Sequence, residues 1–414
     1  MNFFSYHDGT LRAENVPLAE IAKQFGTPTY VYSRAGLERG YREFSEACSG
    51  RDVLICYSVK ANSNLAVLNV LARLGSGFDI VSGGELARVL AAGGSPAKTV
   101  FSGVGKSAEE LRAALSAGVL CFNLESEGEL DRLAEIAASL GKVAPVSLRV
   151  NPDVDPRTHP YIATGLRETK FGIAYDAAVG LYRRAMRLPS VRVVGIDVHI
   201  GSQITEVEPF VAALEKLLEF IDVLDADGVH LDHLDLGGGL GIRYRDENPP
   251  APKEYVGRLF QRLGGRKLRI LFEPGRSLVG NTGLLLTRIE YLKHAPAKNF
   301  AVVDAAMNDL LRPALYDAWH EVLPVAEREG AALRYDIVGP VCESADFLAK
   351  DRALAVAAGD LLAIMSAGAY GMVMSSNYNS RPRPAEVMVD GAKACLIRER
   401  ERADSLFASE RLLP

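Results

Sequence analysis

From about residue 53 the chain repeats one pattern: a short β-branched apolar run, a Gly-rich or polar turn, then a longer stretch with apolar residues at helical spacing. The runs predicted as strands are Val53–Val59, Gly77–Ser82, Thr99–Val104, Cys121–Ser126, Pro145–Asn151, Val191–Ile200, Leu231–Leu236 and Leu268–Glu273. Segments such as Ser107–Ala117 and Glu127–Leu140 fill the intervals as helices. Strands alternating with helices make parallel βα units, and this number over some 250 residues is the complement of a (β/α)8 TIM-like barrel. A doubly wound open sheet is the competing arrangement, but it has fewer strands and carries its phosphate-binding glycines after the first strand, not the seventh.

After Ser277 the texture changes. Runs at Leu284–Tyr291, Phe300–Asp304, Leu333–Val338, Asp360–Met365 and Glu386–Asp390 follow one another with few helical intervals, which predicts a mostly antiparallel β domain, a barrel or sandwich. The first ~30 residues lie outside the barrel repeat and are expected to pack on that domain. The expected division is a barrel over 31–277 and a β domain made of 1–30 and 278–414.

Composition narrows the function. The chain has 414 residues, 48% of them hydrophobic, enough for about two cores. Its 47 basic and 52 acidic residues give a net charge of -5, and no basic run tracks a phosphate backbone, so nucleic acid is not an expected partner. The N-terminal residues lack a basic stretch followed by an apolar one, and no segment approaches the ~20 apolar residues of a membrane span, so a soluble, cytoplasmic protein is expected. Five scattered cysteines lack the spacing of a zinc site or disulfide framework. No metal is expected either: His230 and His233 sit on opposite faces of a strand read at period two, with no third ligand beside them.

Barrels of this kind do chemistry where strands end, and the unusual residues gather there. Lys60 follows the first strand, Glu85 the second, Arg149 and Asn151 end the fifth, His199 ends the sixth, Gly237-Gly238-Gly239 follow the seventh, and Glu273-Pro274-Gly275-Arg276 follow the eighth. The glycine run can turn successive N–H groups toward an anion, and loops seven and eight are the usual phosphate position. A tight strand-to-helix turn would also explain it, but Arg276 one loop away can complete a phosphate cage. Lys60 closes an apolar strand, where partial desolvation favours the neutral, nucleophilic amine. A lysine, a phosphate cradle and an acid on one rim describe a pyridoxal 5'-phosphate (PLP) site.

At these residues the chain resembles the diaminopimelate decarboxylases, within the alanine racemase-like and ornithine decarboxylase-like fold type III PLP enzymes. The resemblance runs from Gly26-Thr27-Pro28 through Tyr57-Ser58-Val59-Lys60-Ala61-Asn62, His199-Ile200-Gly201-Ser202-Gln203, the glycine run and Glu273-Pro274-Gly275-Arg276. It continues through Gly339-Pro340-Val341-Cys342-Glu343-Ser344 and Gly368-Ala369-Tyr370 to Asn377-Tyr378-Asn379-Ser380-Arg381-Pro382-Arg383-Pro384.

The resemblance implies that Lys60 forms the imine with PLP, His199 stacks on its face and Glu273 meets the pyridine nitrogen. It implies that Ser202, Gly238, Gly239, Arg276 and Tyr370 hold the phosphate, with Gly275 also at the cofactor and Asp79 and Arg149 in support near the ring. Cys342 would return a proton after decarboxylation. Glu343 would take the distal amine of the substrate and Arg276 and Arg312 its carboxylate, with Tyr316 and Tyr370 as further contacts. The implied reaction converts meso-diaminopimelate to L-lysine and carbon dioxide, in a homodimer whose Cys342 and Glu343 serve the neighbouring subunit. Decarboxylases of ornithine, arginine, carboxynorspermidine or glutamate are the runners-up. A PLP racemase would use the same barrel and lysine, but Glu273 and Cys342 argue against it. A noncatalytic PLP-binding relative is expected to lack the lysine or the Cys-Glu pair.

Overall fold

The computed structural model describes residues 3–155 and 170–414, and they divide into two compact units. One comprises Gly40–Ile242 and Asn248–Ser277, the other Met1–Arg39, Arg243–Glu247 and Leu278–Pro414.

The first unit is a closed parallel barrel of β1 (Val53–Ser58), β2 (Gly77–Ile80), β3 (Thr99–Phe101), β4 (Cys121–Leu124), β5 (Ala144–Asn151), β6 (Val191–Asp197), β7 (His233–Asp235) and β8 (Arg269–Phe272). Each strand pairs with the next, and β8 closes on β1. Alternation along the strands splits the interior by depth. Leu54, Cys56, Val100, Cys121, Val194 and Leu271 form one apolar cluster. Two residues further along β1 and β8, the inward positions turn polar at Ser58 and Glu273, and Asp79, Ser102, Asn123, Arg149, Asp197 and Asp235 are likewise buried. An apolar floor with a polar upper layer is the arrangement of a barrel that binds something at the C-terminal ends of its strands.

The helices after β2, β3 and β4 start alike. Ser82, Ser107 and Ser126 each accept a hydrogen bond from the backbone N–H three residues on, at 3.2 Å, and each is followed at that third position by a glutamate. Glu110 closes a capping box on the Ser107 N–H, whereas Glu85 and Glu129 accept the N–H groups of Val81 and Glu125. Glu85, singled out above as an unusual strand-end acid, therefore has a local structural job.

In the second unit the central strand is Gly283–Lys293, which pairs antiparallel with Asn299–Val303, Thr29–Ser33 and Leu361–Ile364. Two pairings are parallel, Asn299–Val303 with Leu333–Val338 and Thr29–Ser33 with Ala385–Asp390. The boundary expected at residue 31 cuts this element: residues 31–33 belong to Thr29–Ser33, a strand of the β unit, and the residues through Arg39 stay with it. All five residues of the strand are buried, so it shows no alternation of polarity by which to recognise it. Its faces serve two cores, Tyr30 and Tyr32 with Leu285, Ile289 and Leu362, and Val31 with Leu284, Leu286, Val387 and the N-terminal Phe4, Leu11 and Leu18. The tyrosine hydroxyls are satisfied by the Asp309 carbonyl (2.6 Å) and Glu386 (2.8 Å). The strands Phe347–Leu354 and Lys393–Arg398 were not anticipated from the sequence.

Candidate active site

Ten of the sequence-derived candidates, Lys60, Asp79, Arg149, His199, Ser202, Gly238, Gly239, Glu273, Gly275 and Arg276, lie in the barrel unit. Parallel register explains their convergence: Ser58 pairs with Asp79, and Asp197 with both Arg149 and Asp235. Lys60, in the 3-10 turn that ends β1, places Nζ 2.6 Å from Asp79 Oδ2, which also accepts from Ser58 Oγ at 2.9 Å. The other carboxylate oxygen of Asp79 is buried without a hydrogen-bond partner. The lysine is thereby held on the rim beside a buried acid.

His199 accepts the Gly238 N–H at Nδ1 (3.2 Å), which puts the ring proton on Nε2. Burial, reinforced by the positive charges of Arg149 and Lys60, holds its pKa well below the usual histidine value, so the ring is neutral. Arg149 in turn reaches Glu125 (3.2 Å) and the His199 carbonyl (3.3 Å).

The glycine run is needed for steric reasons. Gly237 has φ +63° and Gly239 φ +111°, and a Cβ on them would stand 2.3 Å from the Val198 carbonyl oxygen and 2.5 Å from that of Gly201. Across from this loop Arg276, in the short helix Arg276–Val279, donates to Ser202 Oγ at 3.1 Å. Backbone without side chains, a hydroxyl and a guanidinium make a set suited to a phosphate group.

Behind them lies a feature the sequence reading missed. Oxygen atoms of Asp197, Asp235 and Glu273 lie within 4.8 Å of one another, all buried, and Asp197 Oδ1 and Asp235 Oδ2 have no hydrogen-bond partner. Asp235 does accept the Gly237 N–H, at 2.9 Å. Burial first, and then mutual repulsion, raises Asp197 and Glu273 well above the carboxylate range; burial and the nearby Asp79 push Asp235 up to about 7, against the hydrogen bond from Gly237. Close-set carboxylates are also a donor set for a cation, but in this dry layer they lower their repulsion by keeping protons. The sequence signal was present: Asp197 stands two residues before His199, and Asp235 two before Gly237.

The remaining candidates, Arg312, Tyr316, Cys342, Glu343 and Tyr370, belong to the β unit. Cys342 and Glu343 are exposed on a loop organised by Asp346, which accepts the N–H groups of Met307 (2.6 Å) and Val341 (2.8 Å). The Cys342 N–H donates to Asn379 Oδ1 at 2.9 Å, and the Tyr378 hydroxyl donates to Glu343. Thus two members of the Asn377–Ser380 stretch, quoted above only for resemblance, support the Cys-Glu pair directly. Tyr370 is half-buried and adopts φ +55°, a conformation costly for a residue with a side chain. Tyr316 ends the short helix Arg312–Tyr316, and Arg312 is buried against His320 and Tyr244. Cys48, Cys56 and Cys121, read as packing residues, are buried, and burial raises the pKa of each. His233 lies against Gly195 inside the barrel, while His230 precedes the strand and pairs with Asp225 at the surface.

A family model for the pyridoxal-binding domain of pyridoxal-dependent decarboxylases matches residues 34–280. The diaminopimelate decarboxylase of Pseudomonas aeruginosa is 62% identical over 414 residues, and that of Vibrio cholerae 60% over 416, each comparison covering 100% of both chains. Among solved structures, diaminopimelate decarboxylase from Helicobacter pylori complexed with L-lysine is 42% identical with a TM-score of 0.92, covering 95% of this chain and 99% of that one. The M. jannaschii enzyme in co-complex with L-lysine is 37% identical with a TM-score of 0.95, covering 100% and 98%. Similarity of this extent spans both units and the strand ends where the lysine, the glycine cradle and the buried acids converge, and the chain belongs to the pyridoxal-dependent decarboxylases, among the diaminopimelate decarboxylases.

Proposed function

We propose that the chain decarboxylates meso-diaminopimelate to L-lysine and carbon dioxide, with PLP held in the barrel through Lys60. The observation that carries this reading is the rim itself: an amine 2.6 Å from a buried aspartate, a neutral histidine, a buried carboxyl and a side-chain-free anion cradle, on neighbouring strand ends. PLP, when bound, supplies an electron sink for the pair left behind by the departing carboxylate. Gly238, Gly239, Ser202, Arg276 and Tyr370 would hold its phosphate, and His199 and Glu273 its ring, with Gly275 also at the cofactor. Glu273 would meet the ring nitrogen, where the negative charge of its carboxylate would favour the protonated ring. Asp79 keeps Lys60 in place, with Arg149 bracing the His199 backbone.

At the substrate, Glu343 would take the distal amine, and Arg312 with Arg276 the distal carboxylate, with Tyr316 and Tyr370 alongside. Cys342 would deliver the proton that replaces carbon dioxide. Two identical copies sharing active sites, with Cys342 and Glu343 of one serving Lys60 of the other, and a cytoplasmic location complete the proposal. Among the described residues no helix is long and apolar enough to cross a membrane.

The test is carbon dioxide release by the holoenzyme given meso-diaminopimelate, ornithine or arginine separately. Release from meso-diaminopimelate alone is the expected outcome, and turnover of ornithine at a comparable rate overturns the substrate assignment. Glu343→Asp and Arg312→Ala should each cut kcat/KM by roughly 10- to 100-fold while the cofactor absorbance survives, because each leaves a substrate charge unpaired.

A further inference from the structure

We propose that His320 is a positioning residue for Arg312, orienting its guanidinium for the distal carboxylate of the substrate; this rests on the reading of Arg312 as a substrate contact. Arg312 Nη1 lies 2.8 Å from His320 Nε2. A guanidinium only donates, so Nε2 accepts, and the ring proton resides on Nδ1. Nδ1 stands 2.8 Å from the Met365 carbonyl oxygen, to which it donates. That carbonyl belongs to a fixed frame, since Val322–Pro324, just after His320, is laddered against Leu361–Ile364 and the Met365 N–H donates to the Glu321 carbonyl at 2.8 Å.

The rest of the surroundings also restrains the pair. The imidazole is fully buried, its own carbonyl accepts from Arg352 Nη2 at 3.0 Å, and Tyr244 meets it edge-on with ring centroids 5.3 Å apart. The Tyr244 ring also lies beneath the Arg312 guanidinium, 4.4 Å from its centroid. One ring face and one ring nitrogen therefore set both the plane and the rotation of the fork. A loosely held arginine spends part of its time in rotamers unable to meet a carboxylate, and affinity falls in proportion. The choice of acceptor matters as well. An aspartate or glutamate here would orient the fork but oppose its charge, whereas a neutral imidazole orients it without adding a negative charge.

The experiment compares holoenzymes carrying His320→Gln, His320→Asn, Arg312→Gln and the double change His320→Asn/Arg312→Gln. KM and kcat are measured for meso-diaminopimelate, and the dissociation constant of L-lysine by calorimetry. Glutamine places its carbonyl where Nε2 was, while asparagine is one bond too short. His320→Asn should raise KM and the L-lysine dissociation constant about ten-fold with kcat changed by less than about three-fold, and His320→Gln should stay within about three-fold of wild type. Arg312→Gln should weaken both constants, and the double variant should be no weaker than Arg312→Gln alone, because the histidine acts through the arginine. Additive losses in the double variant, or an Asn variant as good as the Gln one, overturn the positioning role while leaving Arg312 as a substrate contact. Unchanged binding in Arg312→Gln overturns the reading of Arg312 and the role of His320 with it.

Discussion

Among the side chains, the buried carboxyls make the sharpest demands. Asp235, pushed up to about 7, stays protonated in the folded chain across a pH range where the unfolded chain has already lost that proton. Its contribution to stability is therefore fully present below its ordinary value near ~4 and is lost as pH rises through about 7. Asp235→Asn keeps the shape and removes the ionisation. The melting temperature of cofactor-free Asp235→Asn, relative to wild type, should rise between pH 5 and 7 and level off above, and a flat difference would refute the proton assignment. His233, held down at about 4 chiefly by burial, works in the opposite sense, adding stability that is lost as pH falls from about 6.5 toward 4, and it cancels in this comparison. Lys60 offers a separate test. Borohydride should trap the cofactor on the peptide containing Lys60, and Lys60→Ala should lose both the adduct and the visible band, whereas an adduct on any other lysine would refute the assignment.

For the elements, the loop after β7 should be the least forgiving. Gly239→Ala puts a methyl group against the Gly201 carbonyl on a backbone with φ +111°, so a loss of about 1–3 kcal/mol in unfolding free energy is expected, with a much weaker affinity for PLP. Denaturant titration and cofactor titration check the two effects separately. The barrel strands were legible because a parallel strand buried on both sides reads as an unbroken apolar run, and the residues that stop such a run are the ones with chemical work. Asp197 and Asp235 escaped notice because an acid near a strand end is also ordinary turn chemistry, and only register brings them beside Glu273. His320 escaped because its partners Tyr244 and Met365 are far away in sequence, and nothing local distinguishes it from a packed core histidine. Phe347–Leu354 carries Lys350, Asp351 and Arg352 in its middle, and Lys393–Arg398 is largely exposed, so neither shows a clean period of two.

The whole molecule is proposed to work as a pair of identical chains, and complementation tests this without a structure. A Lys60→Ala homodimer and a Cys342→Ala homodimer should each be nearly inactive. Mixed by joint refolding or co-expression, they should regain activity, since one of the two sites then combines an intact Lys60 with an intact Cys342. Mixed dimers with no recovered activity would place both groups in a single chain.

The strand Thr29–Ser33 has a further consequence, in the order in which the chain is made. It leaves the ribosome early, but its parallel neighbour Ala385–Asp390 follows about 350 residues later. At roughly 5–20 residues per second, that is a wait of some tens of seconds. Throughout it, one edge of a strand that ends up wholly buried has no mate, while the barrel between the two is completed first. Newborn chains stalled before residue 385 should hold a protease-resistant barrel and a cleavable N-terminal arm, a period in which a chaperone has reason to bind the first forty residues and none to bind the last.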